Sequence, residues 1–92
     1  MLYPFMTLDD GTEIVHSEAK KVDGQEKVKV VFEKPIVGGF KHAECWLPDY
    51  KWEHIDGYSN GEIKELQSIV KDLSAVIISL ARQGGFDNAA GF

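Results

Sequence analysis

The residues best suited to hold a metal ion lie in His42-Ala43-Glu44-Cys45, with His16 and His54 elsewhere in the chain. A histidine and a cysteine three residues apart can chelate an ion in a turn, but alternation along a strand places them on opposite faces. Structural zinc sites also carry paired ligands at both ends of their motif. We therefore predict no metal site and no cofactor, with Cys45 serving as a small buried apolar side chain.

Nucleophilic catalysis would combine Cys45 with His16 or His54, because a thiol attacks as the thiolate that a neighbouring base generates. Cys45 instead follows Glu44 and falls on the predicted core face, where burial raises the pKa of a thiol. These features argue against a reactive cysteine.

Acid–base catalysis would use Asp9 and Asp10, which form the densest pair of carboxylates. They stand directly before Gly11, and acids beside a glycine are typical of turns. The sequence has neither a glycine loop with phosphate-binding spacing nor a Gly-x-Ser-x-Gly motif. We predict no catalytic residues.

The most informative cluster is residues 44–58, here called the aromatic-acidic segment, which holds four of the ten aromatic side chains, four acids and one lysine. Aromatic side chains with a polar atom are enriched at the centres of protein interfaces, and an acidic rim attracts a basic partner. The partner-binding residues that this interpretation predicts are Trp46, Tyr50, Trp52, Glu53, Asp56 and Tyr58. The alternative is that these aromatics close one end of a small core.

The elements that must position these side chains are predicted to be strands in the first half of the chain. Glycine turns separate apolar segments, and Val28, Val30 and Phe32 alternate with polar residues, which is the period of a half-buried strand. Short connections favour antiparallel pairing, so we predict a four-stranded meander over about residues 3–47. Residues 48–58 are predicted to be a connecting segment with a helical turn over residues 51–55.

The second half of the chain is predicted to be one long helix over about residues 60–83. Ser59 and Glu62 have the spacing of a capping box, and Gly84 can take the left-handed conformation that ends a helix. The apolar stripe is wider than a coiled-coil seam, which favours a helix lying across a sheet. The predicted fold is a single α+β domain over residues 1–92, with a flexible tail over residues 84–92.

The last two turns of this helix, residues 75–81, are apolar nearly all round, which indicates burial on more than one side. A second copy of the chain would cover them in a homodimer, and the alternative is that residues 86–92 fold back over them. The residues predicted to support self-association are Leu73, Ile77, Ile78 and Leu80.

Composition limits the classes of partner. The 92 residues, 43% hydrophobic with a net charge of −5, fit one globular domain. The absence of a basic stripe predicts no direct binding of nucleic acid and no adsorption to an anionic membrane. With one cysteine and no long apolar run, we expect a cytoplasmic protein.

Small size, acidity and the aromatic-acidic segment favour a non-catalytic protein-interaction domain. The nearest analogies in size and charge are acidic inhibitor, antitoxin, immunity-type and adaptor proteins. One alternative is a small ligand-binding domain or enzyme with a pocket between sheet and helix, which would need His16, His42 or His54 to converge with a carboxylate. Another is a structural subunit of a homo-oligomer.

Overall fold

In the computed structural model, which describes residues 1–84, an antiparallel sheet of six strands packs against one C-terminal helix. The α+β class is confirmed, and the predicted number of four strands is wrong. The strands are β1 (Leu2–Thr7), β2 (Glu13–Ser17), β3 (Lys20–Val22), β4 (Gln25–Ile36), β5 (Gly39–Leu47) and β6 (Lys51–Asp56), and the helix is α1 (Asn60–Gln83). Of the tail predicted over residues 84–92, Gly84 is described and residues 85–92 lie outside the described residues.

The strand order is β1-β2-β4-β5-β6, with β3 paired to the first residues of β4. β1 and β6 therefore lie at the two edges, and each has a register shift: between Pro4 and Met6 on β1, and opposite Ala43 on β6. β4 extends beyond its last pairing with β2 at Glu33, and Pro35 lies in this extension. Because β4 has no partner strand on its β2 side there, the missing amide hydrogen of Pro35 removes no hydrogen bond between strands.

Two strands were not predicted. β3 has three residues, too few to show a periodic pattern, and it forms a hairpin with β4 around Asp23 and Gly24, both with positive φ. β6 replaces the predicted helical turn over residues 51–55, because Tyr50, with φ 57°, reverses the chain and its amide donates to the Trp46 carbonyl at 2.7 Å. Residues 51–56 then pair with β5.

The helix covers one face of the sheet, as its wide apolar stripe predicted. Strand alternation assigns Val30, Phe32 and Cys45 to this face, and all three are fully buried. The buried cluster consists of Ile14, Val28, Val30, Phe32, Ala43, Cys45 and Leu47 on the sheet, and Leu66, Val70, Ile77 and Ala81 on the helix. Within the described residues, no helix has the length and apolarity needed to cross a membrane.

The residues predicted for self-association lie mainly on the sheet side of α1. Ile77 is 1% exposed and Leu80 is also buried, while Leu73 and Ile78 are partly buried and pack against the core. Val76, at 49% exposure, is the large apolar side chain that this part of the helix presents to solvent. Burial against the sheet thus accounts for most of the apolar residues at this end, and a homodimer stays a prediction.

The helix begins at the predicted capping box. Ser59 Oγ accepts from the Glu62 amide at 3.2 Å, and Glu62 Oε1 accepts from the Ser59 amide at 2.9 Å. Glu62 Oε2 also accepts from Lys41 Nζ of β5 at 2.7 Å, so one carboxylate joins the helix to the sheet. The hydrogen bond from Lys41, followed by the one from the Ser59 amide, lowers the pKa of Glu62 to about 2.

We expect the stabilising effect of Glu62 to depend on pH. Its carboxyl pKa falls from 4.5 to about 2 on folding, so its contribution is complete above pH 4.5 and is lost as the pH falls toward 2. Glu62→Gln should therefore lower the free energy of unfolding at neutral pH and have little effect near pH 2, as measured by urea denaturation. Glu65→Gln, on an exposed residue of the same helix, is the control. A Glu62→Gln effect of equal size at both pH values would contradict this assignment.

Candidate functional site

The structure divides the aromatic-acidic segment between the two faces of the sheet. Trp52 lies opposite Cys45 on the helix side, where its ring stacks on Phe32 with centroids 5.4 Å apart. Its Nε1 donates to Gln67 Oε1 of α1 at 2.8 Å. Tyr50 and Tyr58 are also partly buried and pack against the core. Three of the four aromatic side chains therefore close the core, which is the alternative that the sequence left open.

Trp46 is the aromatic side chain of this segment that lies on the other face, here called the open face, which the helix does not cover. Its Nε1 donates to Glu53 Oε1 at 2.8 Å, and Lys29 Nζ lies 5.1 Å from the centroid of its ring. The indole is half-buried and held by both neighbours. Asp56, the remaining acid of the predicted set, is exposed at the end of β6, opposite His42.

A row of paired charges runs across the open face. His42 Nε2 lies 2.8 Å from Glu44 Oε2 and its Nδ1 lies 3.2 Å from Glu33 Oε2, while Lys29 Nζ lies 3.1 Å from Glu44 Oε1. The hydrogen bond with Glu44 is the main cause that raises the pKa of His42. Partial burial opposes ionisation of Glu44, but hydrogen bonds with His42 and Lys29 hold its pKa below the usual value. Because both ring nitrogens of His42 face carboxylates, neither is free to accept a proton from a substrate.

The three histidines do not converge. His16 is fully buried on the helix side, opposite Val30, and its Nδ1 donates to the Ser17 carbonyl at 2.8 Å. His42 and His54 belong to β5 and β6 and lie beside acids of the open face. This arrangement does not provide the histidine cluster that a pocket between sheet and helix would need.

Cys45 is buried on the face opposite His42 and Glu44, as strand alternation predicts. Burial raises the pKa of its thiol to about 12. A thiol of this kind stays protonated at neutral pH, so it is a poor nucleophile and a poor metal ligand.

The feature that sequence reasoning missed is the tip of the β4–β5 hairpin. Val37 is fully exposed, Phe40 is 62% exposed and Ile36 is 45% exposed. Gly38, with φ 85°, forms the turn between them. These residues, 36–40, are here called the hairpin tip. The signal was present as apolar residues on both sides of Gly38-Gly39, but the two glycines indicated only a loose turn.

Acidic residues outnumber lysines where the hairpin tip joins the rest of the sheet. Lys34 Nζ lies 3.5 Å from Asp10 Oδ2, and Lys41 is paired with Glu62. Both lysines next to the tip are therefore neutralised by neighbouring carboxylates. The name acidic collar is used here for four of the acidic residues at this end of the sheet, which are Asp9, Asp10, Asp56 and Glu62.

No protein-family model, curated protein or solved structure matches this chain. The surface of the chain itself must therefore indicate the function. Within residues 1–84, two exposed regions are candidates for a functional site: the hairpin tip with its acidic collar, and the open face around Trp46.

Proposed function

We propose that this chain is a non-catalytic protein-interaction domain that inserts its hairpin tip into an apolar pocket of a partner protein. The observation that supports this is the exposure of Ile36, Val37 and Phe40 at one end of the sheet. Exposed apolar residues grouped in one place mark interaction sites more often than single ones do. The two-residue turn and the paired strands hold the tip in one conformation, so little ordering is needed on binding.

The acidic collar indicates a partner with basic residues around its pocket. Opposite charges at the rim of an interface accelerate association and select the partner, while the apolar centre supplies most of the affinity. The same collar disfavours an anionic membrane. Lys34 and Lys41 are already paired with Asp10 and Glu62, and the two remaining acids of the collar repel anionic headgroups.

Within this proposal, a small acidic chain fits an inhibitor, an antitoxin, an immunity-type protein or an adaptor. All four act by occupying a surface of another protein and need no catalytic residues. A cytoplasmic location is proposed with it, because a single buried cysteine suits a reducing compartment.

The test compares two variants at the tip with one at the other end of β4. Val37→Asp and Phe40→Asp each place a charge on the tip, and Val22→Asp places the same charge on an exposed apolar residue of β3. Each should change the free energy of unfolding by less than about 0.5 kcal/mol, since all three side chains are exposed. We expect a protein captured from a native lysate by the wild-type chain and by Val22→Asp to be lost with both tip variants.

The captured protein is then purified and its affinity for each variant is measured by calorimetry. A loss of at least about tenfold is expected for Val37→Asp and Phe40→Asp, the equivalent of about 1.4 kcal/mol. Equal affinity of all variants would contradict the proposal. Co-sedimentation of the wild-type chain with anionic phospholipid vesicles, abolished by Phe40→Asp, would instead assign the tip to a membrane.

A further inference from the structure

Two carboxylates face each other across the open face. Glu44 of β5 and Glu53 of β6 are direct partners in the antiparallel register. Like charges in opposite positions of a strand pair destabilise it, unless a cation lies nearby. His54 follows Glu53, and one ligand atom from each of these three residues lies within 4.8 Å of the others.

A β-bulge brings His54 into this group. Strict alternation along β6 would place His54 on the helix side with Trp52, two residues before it. Instead His54 and Ile55 together oppose the single residue Ala43, and His54 has the left-handed φ of 53°. Bulges of this kind redirect a side chain and are over-represented next to active sites. The imidazole is consequently exposed beside Glu53, with Nε2 4.0 Å from Glu53 Oε1.

We propose that Glu44, Glu53 and His54 bind a divalent transition-metal ion of the zinc class. One imidazole nitrogen with two carboxylate oxygens is a donor set used for such ions, and water would complete the coordination of a half-exposed site. Calcium and magnesium are less suited, because they prefer oxygen ligands alone and in larger number. These three ligands differ from the residues that the sequence offers as a metal site, His42, Glu44 and Cys45. Cys45 is not among them, and β6 supplies two of the three.

Neighbouring side chains orient the two carboxylates. Trp46 Nε1 donates to Glu53 Oε1 at 2.8 Å, and His42 Nε2 lies 2.8 Å from Glu44 Oε2. Each carboxylate oxygen has a second lone pair, so these hydrogen bonds leave room for an ion. Partners that hold a ligand in this way raise the affinity of metal sites. Lys29 has the opposite effect, because its Nζ, 3.1 Å from Glu44 Oε1, competes with the ion for that oxygen.

The test is a titration of the chain with zinc chloride in a non-chelating buffer, followed by calorimetry. His54→Asn removes the imidazole and keeps a residue that tolerates positive φ, so the bulge is preserved. It should weaken zinc binding by at least about tenfold, and Glu53→Gln should do the same. Lys29→Gln removes the competing cation and should strengthen binding. Glu13→Gln, on an exposed residue of β2 that lies opposite Glu33 on the same face, is the matched control and should bind zinc as the wild-type chain does.

Tryptophan fluorescence gives a second readout. Because Trp46 is hydrogen-bonded to Glu53, zinc should change its emission, and Trp46→Phe should lose this change while still binding zinc by calorimetry. No binding by the wild-type chain at millimolar zinc would overturn the proposal, as would equal affinity of the wild-type chain and a folded His54→Asn variant. The tip variants test the proposed function separately, since none of them alters this site.

Discussion

Replacing Trp52 with alanine is expected to lower the free energy of unfolding by about 3 kcal/mol, the lower end of the range for a large aromatic side chain in a core. The reason is that Trp52 stacks on the fully buried Phe32 and donates to Gln67 of the helix. Its removal would open space between sheet and helix and would leave the Gln67 side chain without its donor. Urea denaturation of the two proteins measures the difference.

Trp46→Ala is the matched control for this prediction. Trp46 is also a tryptophan and lies on the preceding strand, β5. It belongs to the open face, however, and packs against Lys29 and Glu53. Its replacement removes one hydrogen bond and one cation–π contact, each contributing about 1 kcal/mol, so it should cost less than Trp52→Ala. Equal losses would show that the two faces of the sheet are wrongly assigned.

A second large effect is expected from Ile77→Ala, which should lower the free energy of unfolding by about 2–5 kcal/mol. Ile77 is 1% exposed and belongs to the buried cluster between helix and sheet. The adjacent Val76 is 49% exposed, and Val76→Ala should change stability by less than about 0.5 kcal/mol. Denaturation at two protein concentrations makes the comparison sharper, because a core residue gives the same loss at both.

The opposite outcome would support self-association through this helix. If Val76→Ala destabilises as strongly as Ile77→Ala, and if the stability of the wild-type chain rises with its concentration, then α1 contacts a second copy. Light scattering over the same concentrations gives the mass directly. A constant monomer mass over this range would contradict self-association.

Local patterns were sufficient to predict the helix and its ends. Ser59 and Glu62 form the capping box that their spacing predicts, and Gly84 has the left-handed φ of 81°. Alternation also assigned Phe32 and Cys45 to the buried face. These features depend on residues a few positions apart, which is the range over which sequence periodicity carries information.

Features that depend on pairing between distant residues were not predicted. The bulge at His54 interrupts the alternation of β6, so residues 51–56 show no strand period even though they pair with β5. The position of Glu44 directly opposite Glu53 depends on the same register. Trp52 could not be assigned to a face for this reason, because its place follows from the pairing with Cys45 and not from its neighbours in sequence.

The register shifts at the two edges of the sheet also affect how the chain behaves among its own copies. An edge strand offers a row of unpaired amide and carbonyl groups to which another polypeptide can add as a further strand. On β1 the shift falls between Pro4 and Met6, and on β6 the bulge falls at His54 and Ile55. Each interruption breaks the row near its middle, and Pro4 has no amide hydrogen to offer. Both edges are thereby protected against the edge-to-edge stacking that begins amyloid-like aggregation.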